Sequence, residues 1–331
     1  MEILALNAAE MKKAINIKDA IEADKLALES YSSGDANIPL RINLDIEEHK
    51  GQSLYMPGYS ASSNALGVKL VSVYPNNIEK GISSVPALML LIDDKTGFVN
   101  CMMDGTYLTQ LRTGAVSGAA TELLSKKDSN IFTLIGTGGQ AALQLEAVLA
   151  VRNIRTAYVF DIHEQRQKEF AQEMQERFGN KYNVQIKECT NLESAIRESD
   201  IITSVTTAKC ATFNGEWVKR GTHVNGVGSY TREMAEIDSS LILRADKIYC
   251  DTKDAIVESG DFVQMIQKGI FTEESITGEL GQLLLQVTPG RETDDEITFF
   301  ETTGNAVLDI VVAKKIYDCA VAKKIGKTIC L

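Results

Sequence analysis

Apolar and polar positions change rhythm along the chain, and each change predicts a different kind of element. Residues 7–32 carry apolar positions at helical spacing, clearest in "IKDAIEADKLALESY", behind an Asn7/Glu10 pair suited to a capping box. This predicts a helical segment over 7–32. From about 38 to 103 the runs become short: "LRINLDI", "SLYMPGYS", "ALGVKLVSVYP", "ALMLLID" and "GFVNCMM", parted by Pro, Gly and Asn. Consecutive strands of this kind predict an antiparallel or mixed sheet. "YLTQLRTGAVSGAATELL" then returns to helix and ends near Lys126.

From 131 strands and helices alternate. Strand 131–135, helix 139–151, strand 156–161 and helix 163–178 are followed by "VQIKEC", a short helix near 192–198, "DIITSVT", "THVNGVG" and "DKIYCDT". Alternation predicts a parallel, doubly wound sheet. Near 305, "NAVLDIVVAKKIYDCAVAKK" predicts one long amphipathic helix. Residues 305–331 are too short to fold alone, so they are expected to return to the first domain. The expected fold class is α/β: a Rossmann-like doubly wound dinucleotide-binding domain over 121–304, and an α+β substrate and dimerisation domain made of 1–120 with 305–331. A chain of 331 residues suits two cores better than one.

Composition narrows the function. An apolar share of 44% and a charged share of 24% describe a soluble globular chain. No apolar run is long enough to predict a transmembrane helix, and "MEILALNAAEMKK" lacks a signal-peptide core. The net charge of −11 argues against nucleic acid as the main partner, because phosphate binding needs clustered Lys and Arg. Cys101, Cys189, Cys210, Cys250, Cys319 and Cys330 are scattered without a CxxC, which fits a reducing cytoplasm. His49, His163 and His223 have no metal-ligand neighbours in sequence, so no metal is expected.

The first chemical signal is "TLIGTGGQAA", residues 133–142. Gly136-x-Gly138-x-x-Ala141 fits G-x-G-x-x-G/A between a strand and a helix, and Gly139 adds a further small residue. The first glycine allows the tight turn, the second lets the backbone approach a pyrophosphate, and the helix N-terminus favours the anion. A second strand, "TAYVFD", ends in Asp161, at the distance where an acid binds the ribose hydroxyls of NAD and repels the extra phosphate of NADP. A structural turn and a plain strand-end cap are the alternatives. NAD(H) is the expected cofactor.

Three basic residues lie among apolar or small neighbours: Arg41 in "PLRINL", Lys69 in "LGVKLVSVYP" and Arg112 in "LTQLRTGAVSGAA". A buried cation is costly unless it meets an anion. Arginine forks suit a carboxylate, and a buried lysine suits proton transfer. Solvent-facing alternation is the other reading for Arg41 and Lys69.

"GVKLVSVYPNN", "LRTGAVSGAA", "LIGTGGQA" and "HVNGVGSYTREMAEID" together resemble the ornithine cyclodeaminase/mu-crystallin family. That family is NAD(P)-dependent and usually dimeric. It includes ornithine cyclodeaminases, alanine dehydrogenases and cyclic ketimine reductases. The resemblance implies that Arg41, Lys69 and Arg112 face the substrate, the arginines on its carboxylate. It places Thr113, Gly138, Gln140 and Asp161 at the cofactor, where Arg112 and Thr207 are expected too. It also implies a homodimer, for which the first and last helices are the candidate interface.

Departures from the family pattern bear on the reaction. Cyclodeaminases carry a catalytic Asp where "NGVGSYT" places Tyr230, after Ser229, and a Glu where "SLYMP" places Leu54. Ser84 and Thr302 are smaller swaps of Thr and Ser. Without those carboxylates the expectation is an NAD(H)-dependent oxidoreductase on the C–N bond of a small amino or imino acid. The form expected is reduction of a cyclic ketimine of the pyrroline-2-carboxylate type, with Lys69 as proton donor. Ornithine cyclodeaminase is the alternative, with "DIEEH" at 45–49 as a substitute source of carboxylates. An alanine-type dehydrogenase and a non-catalytic binding protein are further alternatives.

Overall fold

A computed structural model describes the backbone of residues 1–331 and every side chain but that of Ile78. The chain divides into two compact units, Met1–Arg112 with Asn305–Leu331, and Thr113–Gly304.

The first unit begins with β1 (Glu2–Leu6), α1 (Ala8–Ala14) and α2 (Ile17–Ser32). The expected Asn7/Glu10 capping box forms. The helical segment is nonetheless two helices, because Ile15 is extended and Asn16 starts again. Its side chain accepts from the N–H groups of Lys18 and Asp19, and Asp19 accepts the Asn16 N–H in return. Then come β2 (Ala36–Asn37), β3 (Ile42–Ile46), β4 (Gly51–Ser60), β5 (Ala65–Val73), β6 (Ala87–Ile92), β7 (Val99–Asp104) and α3 (Gly105–Leu124). Arg112 and Thr113 are consecutive residues of α3 and fall in different units.

The second unit runs β8 (Ile131–Ile135), α4 (Ala141–Val151), β9 (Thr156–Phe160), α5 (Glu164–Tyr182), β10 (Gln185–Glu188), α6 (Leu192–Glu198), β11 (Ile201–Ser204), β12 (His223–Gly226), α7 (Ser239–Arg244), β13 (Lys247–Cys250), α8 (Asp254–Glu258), α9 (Gly260–Gln267), β14 (Gly278–Glu279), α10 (Leu280–Leu284) and β15 (Thr298–Glu301). Its strands lie in the order β10-β9-β8-β11-β12-β15-β13-β14, all parallel. β11, β12 and β15 are buried along their whole length, as strands covered on both faces must be. Phe132, Leu145, Val159 and Phe178 belong to one core, and Ile202, Val224, Phe262 and Phe299 to another. The chain winds outward from β8 through β9 to β10, then returns to β11. The order therefore reverses between β8 and β11, where a doubly wound sheet opens a crevice at its carboxyl end.

The chain then returns to the first unit through α11 (Ala306–Lys323) and β16 (Lys327–Cys330). The first sheet has the order β16-β1-β7-β6-β5-β4-β2, with β3 on β4. It is mixed: β1 and β7 are parallel and the other pairs antiparallel. α11 lies over β4, β5 and β6 and packs against α1 and α2. The first and last helices thus pack on each other within one unit. Period-two alternation puts Met56, Lys69 and Met89 in one register row on the α11 side, all buried. The opposite face presents Tyr55, Val68, Leu70, Leu88 and Leu90, each half-buried.

Candidate active site

Lys69 is 2% exposed although it is a lysine in a sheet. β4 and β6 set Met56 and Met89 beside it, so its neighbours along the register are apolar. Its Nζ donates to Asp309 Oδ2 at 2.6 Å. Arg112, reaching from α3, donates its Nε–H to the other oxygen of the same carboxylate at 3.0 Å. Burial pushes the Lys69 ammonium down, Asp309 pulls it back, and Arg112 and Arg41 push it down again, which leaves it at about 8. Arg41 enters this group from the residue before β3, whose Ile42 pairs with Tyr55 of β4. The structure therefore joins Lys69 and Arg112 through Asp309, with Arg41 near enough for its charge to act on Lys69.

Asp309 is fully buried in the first turn of α11, behind the N-cap Asn305. The positive end of the helix dipole favours a carboxylate there. Sequence reasoning missed it. The signal was a lone acid inside the apolar run "AVLDIVV", since such an acid needs a cation when buried.

In the second unit the glycine turn joins β8 to α4. Gly136 has φ +98°, and a Cβ on it would meet the Val205 carbonyl oxygen at 2.7 Å, so no other residue fits. A Cβ on Gly138 would meet nothing within 4 Å. Packing does not demand glycine there, and the backbone of the turn is open at that position. Asp161, just past β9, accepts from the Thr137 N–H at 3.1 Å and its hydroxyl at 2.6 Å, and from the His163 N–H at 2.9 Å. Burial raises its carboxyl, but these hydrogen bonds outweigh that and hold it below the usual value. Gln140 Oε1 and Thr113 Oγ1 are buried and have no partner among the described residues. The Gln144 amide donates to the Thr113 carbonyl at 2.9 Å, and a Cβ on Gly114 would meet the Leu143 carbonyl at 2.7 Å. α3 therefore sits close against the start of α4, which explains the glycine at 114. An open turn, two orphaned polar atoms and an ionised strand-end acid fit a dinucleotide. Thr207 is exposed in the loop after β11, and Gly139 is exposed in the turn.

Glu236 is a second residue that sequence reasoning missed. It is fully buried and accepts from the N–H groups of Thr206, Val227 and Gly228 and from the hydroxyls of Ser204 and Thr206. Burial pushes its carboxyl up against those donors. Asp261 in turn accepts the Glu236 and Ile237 N–H groups. Glu236 ties the loops after β11 and β12 together, and Asp261 ties the second of them to α9, giving "MAEID" a structural task.

The departures take definite places. Leu54 packs with Met56, Val71 and Ala306, so the sheet face that carries Lys69 is apolar at that position. Tyr230 is 37% exposed in the loop after β12, and burial pushes its phenol up. Ser229 donates to the Met234 carbonyl, and Thr302 donates to Asp251. Ser84 accepts the Tyr74 N–H on its carbonyl. Asp45, Glu47 and Glu48 are exposed, and Asp45 lies opposite Gln52. The structure does not bring "DIEEH" into the Lys69 group.

The profile of the ornithine cyclodeaminase/mu-crystallin family matches residues 1–324. The chain is 37% identical to a Δ1-pyrroline-2-carboxylate reductase of Bacillus cereus over 328 residues, 99% of each chain. Among solved structures, it is similar to the Δ1-pyrroline-2-carboxylate reductase of Thermococcus litoralis in complex with NADH and L-proline, with a TM-score of 0.93, 40% identity, and 99% of this chain and 100% of that one covered. It is also similar to an archaeal alanine dehydrogenase dimer with bound NAD, with a TM-score of 0.92, 33% identity and full coverage of both chains.

Proposed function

Because the chain belongs to the ornithine cyclodeaminase/mu-crystallin family, we propose that it is an NAD(H)-dependent oxidoreductase that reduces Δ1-pyrroline-2-carboxylate to proline. The observation that carries this reading is the buried lysine between two methionines, joined through one aspartate to an arginine. A cyclic imino acid needs a carboxylate clamp and one proton donor, and the group offers both. A diamine substrate needs carboxylates for its amines; Leu54 and Tyr230 stand where the cyclodeaminases carry them.

Arg41 and Arg112 hold the substrate carboxylate, which fixes the ring; positioning of this kind can contribute several kcal/mol, roughly 7 or more in the best cases. Lys69 donates a proton to the imino nitrogen. With its ammonium at about 8, it is mostly charged at neutral pH and still a competent acid. NADH, when bound, supplies the hydride. Gly136, Gly138 and Gly139 leave room for the pyrophosphate at the N-terminus of α4, and Asp161 takes the ribose hydroxyls. Thr113, Gln140 and Thr207 complete the cofactor contacts, with Arg112 at the nicotinamide end.

The chain is further read as a homodimer of the cytoplasm. The uncovered apolar sheet face and the archaeal alanine dehydrogenase dimer support the first part. The scattered cysteines support the second. No helix among the described residues is long and apolar enough to cross a membrane.

Purified protein mixed with NADH and fresh pyrroline-2-carboxylate is expected to consume NADH and form proline. Ornithine with NAD is expected to yield no ammonia. Proline and ammonia from ornithine, without net change in nicotinamide absorbance, would overturn the reading in favour of a cyclodeaminase. Turnover of pyruvate with ammonia alone would move the substrate to open-chain imines.

A further inference from the structure

The aspartate at the centre of the basic group has no part in the clamp or the proton transfer as described, yet it touches both. Asp309 has one oxygen on Lys69 Nζ and the other on Arg112 Nε, and it is fully buried. We propose that Asp309 is the positioning residue of the reaction: it occupies the Nε–H of Arg112, leaving the terminal Nη pair for the substrate carboxylate, and holds Lys69 as an ammonium whose other N–H bonds serve the imino nitrogen. The substrate's identity rests on the reductase reading above; the charge arrangement is a property of the free protein.

The physical case starts from the sheet. An ammonium between Met56 and Met89 loses its hydration and deprotonates unless an anion faces it. The charged groups acting on Lys69 are Asp309 from α11, Arg112 from α3 and Arg41 from the residue before β3; β4 and β6 supply methionines. Both arginines work against the ammonium, and Asp309 works for it. The same carboxylate fixes the arginine. A guanidinium is a rigid planar fork, so engaging Nε sets the plane in which its two Nη groups present themselves. One side chain thus sets the proton donor's charge and the clamp's orientation together.

The proton count closes. An N–H bond of Lys69 breaks as the N–H bond of the ring forms, and the hydride becomes the new C–H bond at the former imine carbon. Lys69 is left neutral and regains its proton from water. Asp309 stays a carboxylate throughout.

Two variants separate the two tasks. In the native protein, kcat/KM for the imino acid is expected to fall as pH rises past about 8, because the ammonium form is the one required. In Asp309→Asn the falling limb is expected to move to lower pH by about one unit or more, with a raised KM for the imino acid. Asp309→Glu keeps the charge but shifts it. It is expected to return the limb toward its native position while the imino-acid KM stays high. A limb that does not move in Asp309→Asn, with activity lowered evenly at every pH, would reduce Asp309 to a packing role and overturn the proposal. The native protein gives a measurement that needs no turnover and no substitution at Asp309. With ¹³C-labelled lysine, the resonance lost in Lys69→Arg is expected to titrate near 8. A resonance already that of the neutral amine at pH 7 would show that Asp309 does not hold the ammonium, and would overturn the proposal whatever the substrate is.

Discussion

At the scale of single residues, Asp161 shows how one carboxylate sets a preference. Both its oxygens accept hydrogen bonds from the turn and from His163, and these keep it ionised at neutral pH despite partial burial. An anion there accepts ribose hydroxyls and repels a 2′-phosphate. Asp161→Ser is expected to raise the NADPH/NADH ratio of kcat/KM by about tenfold or more, a change of about 1.4 kcal/mol. It is also expected to weaken NADH, since Thr137 loses its acceptor. An unmoved ratio would mean that Asp161 serves the turn alone. Asp161 was legible because its distance from the glycines along the chain is set by one helix and one strand. Asp309 was not, because its partners Lys69 and Arg112 lie on distant parts of the chain.

At the scale of elements, periodicity located α2 but not its beginning. Apolar spacing runs on through Ile15, and only the hydrogen bonds of Asn16 end one helix and start the next. Asn16→Ala is expected to cost about 0.5–2 kcal/mol. The check is a lowered thermal midpoint with KM values unchanged; an unchanged midpoint would show that packing of α2 on α11 sets that boundary instead. α3 gives the converse case. Beside the candidate residues Arg112 and Thr113, Gly114 is a packing device, since it lies where a Cβ would strike the Leu143 carbonyl.

At the scale of the whole molecule, the first sheet is half covered. α11 seals one face, and the other presents Val68, Leu70, Leu88 and Leu90, with Ile42 and Leu44 exposed at its edge. Contiguous apolar surface of this kind usually marks an association site. A second copy on that face is the expected dimer. Leu90→Lys is expected to sediment as a monomer with native circular dichroism. A variant that remains dimeric would place the interface elsewhere.

The amino-acid sequence by itself determined the alternation of β8 to β12 with their helices, the glycine turn and the acid at Asp161. Each depends on residues close together in the chain, where periodicity and backbone sterics act directly. The tertiary structure alone decided that Lys69 faces α11, that Asp309 joins it to Arg112, and that Glu236 binds two loops into one. The Asp309 pairings join segments far apart in the chain, and the Glu236 bonds join irregular loops that carry no periodicity to read. They follow from how sheet and helix bury their faces, and a buried charge reveals its partner only once that burial is complete.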